Sequence, residues 1–239
     1  MIGAGPGSID LLTVKAKEVI SNADVIVHDA IIPINILNLA KKAIFFNAGL
    51  EGYANIKHQE MLAKILINQS SAHSTLVRLK SGDPFLFGNG GETYKFLKDE
   101  IRKNNLNIEI EIIPGISSAF AASSLLGLPL TLSGIEKSLA ILSGHNDGKT
   151  HNYSKLNSFG TLIFYMAIKT INDHVNGLIN EGFNPKTMVC IIEKGCHNDQ
   201  RIFIGLLRET PALIENKSIQ EPAVIIIGDC VAYFQKFIK

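Results

Sequence analysis

Short apolar runs alternate along this chain with segments of helical period, and that alternation constrains the fold more than any other feature. Ala23–Val27 (ADVIV) is a strand-like run whose Val25-Ile26-Val27 centre leaves no polar face, as suits a strand buried on both sides. Ile44–Phe46, Thr75–Leu79 and Ile108–Ile113 read as further strands, with Met61–Ile67 and Glu92–Arg102 as helices between them. Ahead of the first run, Leu11, Leu12, Lys15, Val19 and Ile20 form one stripe on a helix starting near Asp10, its expected N-cap. Strands and helices in this order predict an α/β fold with a largely parallel sheet covered on both faces.

Past Pro114-Gly115 a helix of small residues runs to about Leu126. The stretch Gly127-Leu128-Pro129-Leu130-Thr131-Leu132-Ser133-Gly134 then reads as a joint between two domains, 1–131 and 132–239. Beyond it lie expected strands at Ser138–Leu142, Thr161–Tyr165, Met188–Ile192, Ile202–Gly205 and Ala223–Ile227. Helices are expected at Ile171–Asn180 and Cys230–Phe237, so the second half is the richer in strands.

Composition narrows the function classes. With 23 Lys+Arg against 22 Asp+Glu and no basic run, nucleic acid is not an expected partner. Apolar stretches break before the ~18 residues that a membrane span needs, and the N-terminus has no basic signal region, so a cytoplasmic protein is expected. Three cysteines make no disulfide framework and read as reduced, buried thiols. Cys190, Cys196 and His197 loosely resemble a metal cluster, but the spacing is wrong for a zinc knuckle and no metal is expected.

Several glycine-rich turns follow expected strands. Gly3-Ala4-Gly5-Pro6-Gly7-Ser8 brings backbone close to a ligand, yet a dinucleotide fingerprint needs Gly where Ser8 stands, and Pro6 removes a donor. Gly144-His145-Asn146-Asp147-Gly148-Lys149-Thr150 misses the P-loop pattern by one residue and reads as a polar loop. Lys80-Ser81-Gly82-Asp83-Pro84-Phe85-Leu86-Phe87-Gly88-Asn89-Gly90-Gly91 is the most informative, because parallel α/β sheets place ligands at strand carboxyl ends. Gly82 there allows close backbone approach and Asp83 can accept from a ligand amine or hydroxyl. Pro114-Gly115-Ile116-Ser117-Ser118 sets two hydroxyls at a helix start. His28-Asp29 ends the first complete strand, and Asp29 is a candidate base on the same edge.

Taken in order, the segments GAGPGSIDLLTVKA, ADVIVHDAII, VRLKSGDPFLFGNGGE, IIPGISSA, GLPLT, SGH, TLIFYM, DQRIFIG and EPAVIIIG resemble the tetrapyrrole (corrin/porphyrin) methylase family over residues 3 to 228. The resemblance implies two α/β domains with S-adenosylmethionine (SAM) in the cleft between them, and a homodimer. It implies that Pro6, Ser81, Gly82, Asp83, Leu86, Ser117, Ser118, Met166 and Gly195 bind SAM, and that Asp29 is the catalytic base. The activity it implies is C-methylation of uroporphyrinogen III to precorrin-2, on the way to sirohaem or cobalamin.

The chain departs from the family on the side of the tetrapyrrole. Asn47-Ala48-Gly49-Leu50-Glu51-Gly52 stands where the family has Gly-Lys, Gly88-Asn89-Gly90-Gly91 where it has Gly-Arg-Gly-Gly, and Leu130-Thr131-Leu132-Ser133 where it has Leu-Thr-His-Arg. Losing cations that pair bidentately with carboxylates is not conservative. Lys80 and Arg201 remain as expected substrate contacts. The alternatives are a later cobalamin-pathway ring methylase or diverged paralogue, an NAD-dependent oxidoreductase, and a non-catalytic SAM-binding protein.

Overall fold

A computed structural model describes residues 1–49, 56–145 and 151–237. Leu50-Glu51-Gly52 and the Gly148-Lys149-Thr150 end of the near-miss P-loop lie outside them. The chain divides into two compact units, Met1–Ser117 and Ser118–Lys239.

The first unit contains β1 (Ile2–Gly3), α1 (Val14–Ser21), β2 (Val25–His28), α2 (Ile34–Leu37), β3 (Ile44–Asn47), α3 (Ile56–Gln69), β4 (Leu76–Lys80) and α4 (Gly90–Lys103). Its sheet has the order β1-β4-β2-β3 and every pairing is parallel. Strand residues point alternately to two faces. Ile26, Val77 and Leu79 meet Ala16 and Ile20 of α1 and Ile36 of α2, while Val27 meets Leu62 and Leu66 of α3 and Leu97 of α4. The sheet therefore carries helices on both faces. The first helix begins later than Asp10: Ser8 caps a 3-10 turn at Ile9–Leu11, and Thr13 caps α1 by accepting from the Ala16 N–H at 3.1 Å. Ile108–Ile112 forms no ladder, and only Ile113 bridges to Ile2.

The second unit contains α5 (Ser118–Leu126), β5 (Leu139–Ser143), β6 (Thr161–Tyr165), α6 (Ile171–Asn180), β7 (Met188–Glu193), β8 (Arg201–Leu206), α7 (Thr210–Asn216), β9 (Ala223–Gly228) and α8 (Asp229–Gln235). The sheet order is β5-β6-β9-β7-β8, parallel for β5 and β6 and antiparallel elsewhere. Phe164, Ile191 and Ile225 face Val175 and Leu178 of α6 and Ile214 of α7; Ile163, Cys190 and Ile226 face Ala119 and Ala122 of α5 and Val231 of α8. The division falls before α5, not at the expected 131/132. The Gly/Pro-rich stretch suggested a joint, but the small-residue helix ahead of it already packs on the second sheet.

Candidate active site

Asp29 follows β2 directly and is fully buried. Two cations reach it from β4: Arg78 Nη2 donates to Oδ1, and Lys80 Nζ lies 3.7 Å from Oδ2. The Ser81 amide approaches the same Oδ2 at 3.3 Å. Arg78 and Lys80 are themselves buried. They stand two apart on a strand, so both point to one face and converge on one carboxylate. Burial lowers the Lys80 pKa, against the pull of Asp29 in the other direction. His28 turns its Nδ1 to the Asp29 carbonyl at 2.9 Å.

Lys80, an expected substrate contact, has its ammonium enclosed and engaged by Asp29 in this structure. Asp29 is likewise an enclosed acceptor in this state: a base must have a lone pair in contact with the proton it removes. Arg78 lies in the VRLKSGDPFLFGNGGE segment, but the resemblance gives it no role. The signal was there, as two cations at alternate positions inside an apolar strand require a buried counter-charge.

Three glycines bring three loops together at the carboxyl edge of the first sheet. A Cβ on Gly3 would come within 2.5 Å of the Gly82 carbonyl and 2.6 Å of the Gly115 amide. One on Gly115 would strike Gly82 and Gly3 in turn. Gly82 sits at φ +59 and exchanges backbone hydrogen bonds with Gly5, at 2.8 and 3.2 Å, just ahead of Pro6. Asp83 Oδ1 accepts from the Phe85 amide at 3.0 Å, and Oδ2 from the Gly115 amide at 3.4 Å. It thus ties its own loop to the Pro114-Gly115 turn. The Leu86 amide donates to the Asp83 carbonyl at 3.3 Å, and Ser117 is buried beside Gly82. Pro6, Gly82, Asp83, Leu86 and Ser117 are therefore assembled by one set of backbone contacts, with Ser81 joined to it through Asp29.

In the second unit, the Tyr165 hydroxyl accepts from the Ala119 amide at 2.8 Å, one residue past Ser118 in the first turn of α5. Met166 follows Tyr165 with φ 53, and a Cβ on Gly195 would lie 2.8 Å from that of Ala122 in α5. Ser118, Met166 and Gly195 are thus arranged about α5. Arg201 pairs with Glu193 through Nε and, at 2.8 Å, through Nη2, and also donates to the carbonyls of Lys217 and Ser218. That pairing holds the Glu193 carboxyl below its ordinary range. Arg201, the other expected substrate contact, thus has its charge matched inside the unit while its side chain stays partly exposed.

Cys190 is buried and its thiol is pushed up to about 12 by burial; Cys196 is half-buried and raised for the same reason. Among the described residues no cluster of three or more His, Cys, Asp or Glu side chains could hold a metal, and no helix is long and apolar enough to cross a membrane.

Comparison with known proteins gives a consistent picture. Residues 1–211 match the tetrapyrrole (corrin/porphyrin) methylases. The chain is 35% identical to the uroporphyrinogen-III C-methyltransferase of Methanocaldococcus jannaschii, covering 97% of this chain and 95% of that protein. It is 32% identical to the S-adenosyl-L-methionine-dependent uroporphyrinogen III methyltransferase of Methanosarcina barkeri, covering 97% and 91%. The crystal structure of the Thermus thermophilus uroporphyrin-III C-methyl transferase with S-adenyl homocysteine superposes with a TM-score of 0.81, at 28% identity, over 97% of this chain and 92% of that one.

Proposed function

The chain belongs to the tetrapyrrole (corrin/porphyrin) methylase family, and on that premise we propose that it transfers methyl groups from SAM to ring carbons of uroporphyrinogen III, forming precorrin-2. The observation that carries the reading is the match to the Methanocaldococcus jannaschii enzyme over 95% of that enzyme's length.

The residues present fit SAM. The Gly3 and Gly115 backbones meet that of Gly82 where a Cβ would intrude, so the junction of the three loops is built of amides and carbonyls rather than of side chains. An ionised carboxylate has about four acceptor positions, so Asp83 keeps capacity for a ligand donor beyond its two backbone bonds. The residues that would hold SAM are Pro6, Ser81, Gly82, Asp83, Leu86 and Ser117 in the first unit, and Ser118, Met166 and Gly195 in the second. When bound, SAM supplies a methyl group made electrophilic by its sulfonium. The protein's part is to align that methyl with an electron-rich ring carbon, so orientation is the main contribution. Phe85, Phe87 and Ile116 leave apolar surface exposed on these loops, as suits the face of a large ring. Asp29 fixes Arg78, Lys80 and the Ser81 amide behind them. It serves as the base for the departing ring proton only where those contacts open. The same reading carries a homodimer and a cytoplasmic location.

Mass spectrometry of the product formed from SAM and uroporphyrinogen III under reducing conditions tests the proposal. The expected product is heavier by whole methyl groups. Methylation confined to later corrin precursors would favour the ring-methylase alternative, and SAM binding without transfer the non-catalytic one.

A further inference from the structure

Within the second unit, a chain of polar side chains runs from the interior of α6 to the ends of β5 and β6, and the methyl-transfer reading leaves it unused. His174 of α6 is buried, with its ring tilted against that of Phe164 at 4.9 Å between centroids. Its Nε2 lies 3.1 Å from the Gly144 carbonyl and 3.1 Å from the Thr170 hydroxyl, which itself donates to the Gly144 carbonyl at 2.6 Å. Its Nδ1 lies 2.9 Å from the Tyr153 hydroxyl. A carbonyl oxygen only accepts, so Nε2 carries the proton, and Nδ1 of the neutral ring accepts from Tyr153. Burial favours that neutral ring by lowering the His174 pKa. Glycine is unfavourable inside a helix, yet α6 has Gly177 three residues past His174, on the same face. A Cβ there would lie 2.3 Å from the Tyr153 ring, so the glycine makes room for the tyrosine.

The residue that this chain holds, Gly144, touches both neighbours of Met166. The Gly144 amide donates to the Tyr165 carbonyl at 2.6 Å. Gly144 also packs so closely on Ala167 that a Cβ would lie 2.4 Å from the Ala167 Cβ. The Thr170 amide donates to the Ala167 carbonyl at 3.2 Å and closes the turn. Met166, between Tyr165 and Ala167, has φ 53, which residues other than glycine rarely adopt. Such a conformation persists where its surroundings over-determine it. Gly144 supplies that constraint, fixed at its amide by Tyr165 and at its carbonyl by Thr170 and His174. Thr170 is the N-cap of α6, yet its hydroxyl makes no capping bond and goes to Gly144 instead.

We infer that His174 is a positioning residue for the methyl donor: through the Gly144 carbonyl it holds the Tyr165-Met166-Ala167 turn in the shape that presents Met166 to SAM. The inference rests on the reading of Met166 as a SAM contact. Tyr153 orients the imidazole from its other nitrogen, as the third group of a relay that ends at the turn.

The test compares the parent chain with His174→Leu, His174→Gln and Tyr153→Phe, using NMR of isotope-labelled methionine methyls and SAM calorimetry. The Met166 methyl signal reports on the turn without ligand, and Met1 and Met61, in the first unit, are internal references. Leu keeps an apolar body in the site but has no donor; it is expected to move the Met166 signal and to weaken SAM binding at least about fivefold. Gln sets an amide nitrogen near the place of Nε2 and is expected to restore the signal and most of the affinity. Tyr153→Phe keeps the ring beside Gly177 and is expected to move the Met166 signal the same way by a smaller step. A folded Leu variant with the parent's signal and affinity would overturn the inference. So would a Gln variant as weak as Leu, because His174 would then act through packing alone. Should Leu fail to fold, an unmoved Met166 signal in Tyr153→Phe overturns it as well. A parent chain that binds no SAM would instead overturn the reading of the site, before any variant is compared.

Discussion

Replacing Asp29 by Asn would keep the shape of the side chain and remove the charge that Arg78 and Lys80 share. Breaking a buried ion pair from one side costs about 3–5 kcal/mol, because the opposite charge stays buried. Asp29→Asn is therefore expected to unfold at markedly lower urea, with turnover per folded molecule as a separate readout. Full stability with depressed turnover would assign the carboxylate to the chemistry alone and reject its anchoring role. The contrast shows what the sequence offered at this scale. Asp29, Asp83 and Ser117 were legible, since motif and strand end placed them at the sheet's carboxyl edge. The engagement of Lys80 and Arg201 was not. Their counter-charges, Asp29 just past β2 and Glu193 at the end of β7, come from elsewhere in the chain, and only the register of β4 against β2 and of β8 against β7 makes them neighbours.

The elements follow their local signals where those signals are strong. β6 and α6 occupy the expected Thr161–Tyr165 and Ile171–Asn180. Ile108–Ile113 was expected as a strand and is not one: its side chains alternate in burial from Ile108 to Ile112, but a ladder depends on a neighbour, and β1 reaches only Ile113. Asp10 and Thr13 are both good capping residues, and their order along the chain does not say which of them begins the longer helix. Gly115 looked like an ordinary turn residue beside Pro114. Its necessity lies in the approach of two other loops. Gly115→Ala is accordingly expected to force apart the Gly3 and Gly82 backbones, at a cost of about 1–3 kcal/mol for overpacking, and to weaken SAM binding measured by calorimetry. Gly91→Ala meets nothing within 4 Å and serves as the control. Equal behaviour of the two variants would show that the three-loop junction tolerates side chains.

For the whole molecule, nearly balanced charge leaves stability against pH to a few buried groups rather than to net repulsion. Two of them are bases that burial disfavours in the charged form. The Met1 amine falls from 8.0 to about 6, and the His174 imidazole falls below 6.5, chiefly by desolvation. His174 is enclosed among Tyr153, Thr170 and the Gly144 carbonyl, with the His151 ring 5.7 Å away. For each base the unfolded chain binds more protons than the folded one between the two pKa values, so stability rises with pH across that interval. The Met1 contribution acts between about 6 and 8.0, and that of His174 below 6.5. The lowered Glu193 carboxyl works in the same direction at more acid pH: its stabilisation is complete above 4.5 and is lost as pH falls through its folded value. Urea midpoints should therefore climb from pH 6 to pH 8, with the Met1 amine contributing roughly 2–3 kcal/mol. Acetylating that amine should flatten the slope between pH 6.5 and 8, while His174→Gln should flatten it only below 6.5. A midpoint that stays level from pH 6.5 to 8 in the unmodified chain would mean that the amine reaches solvent.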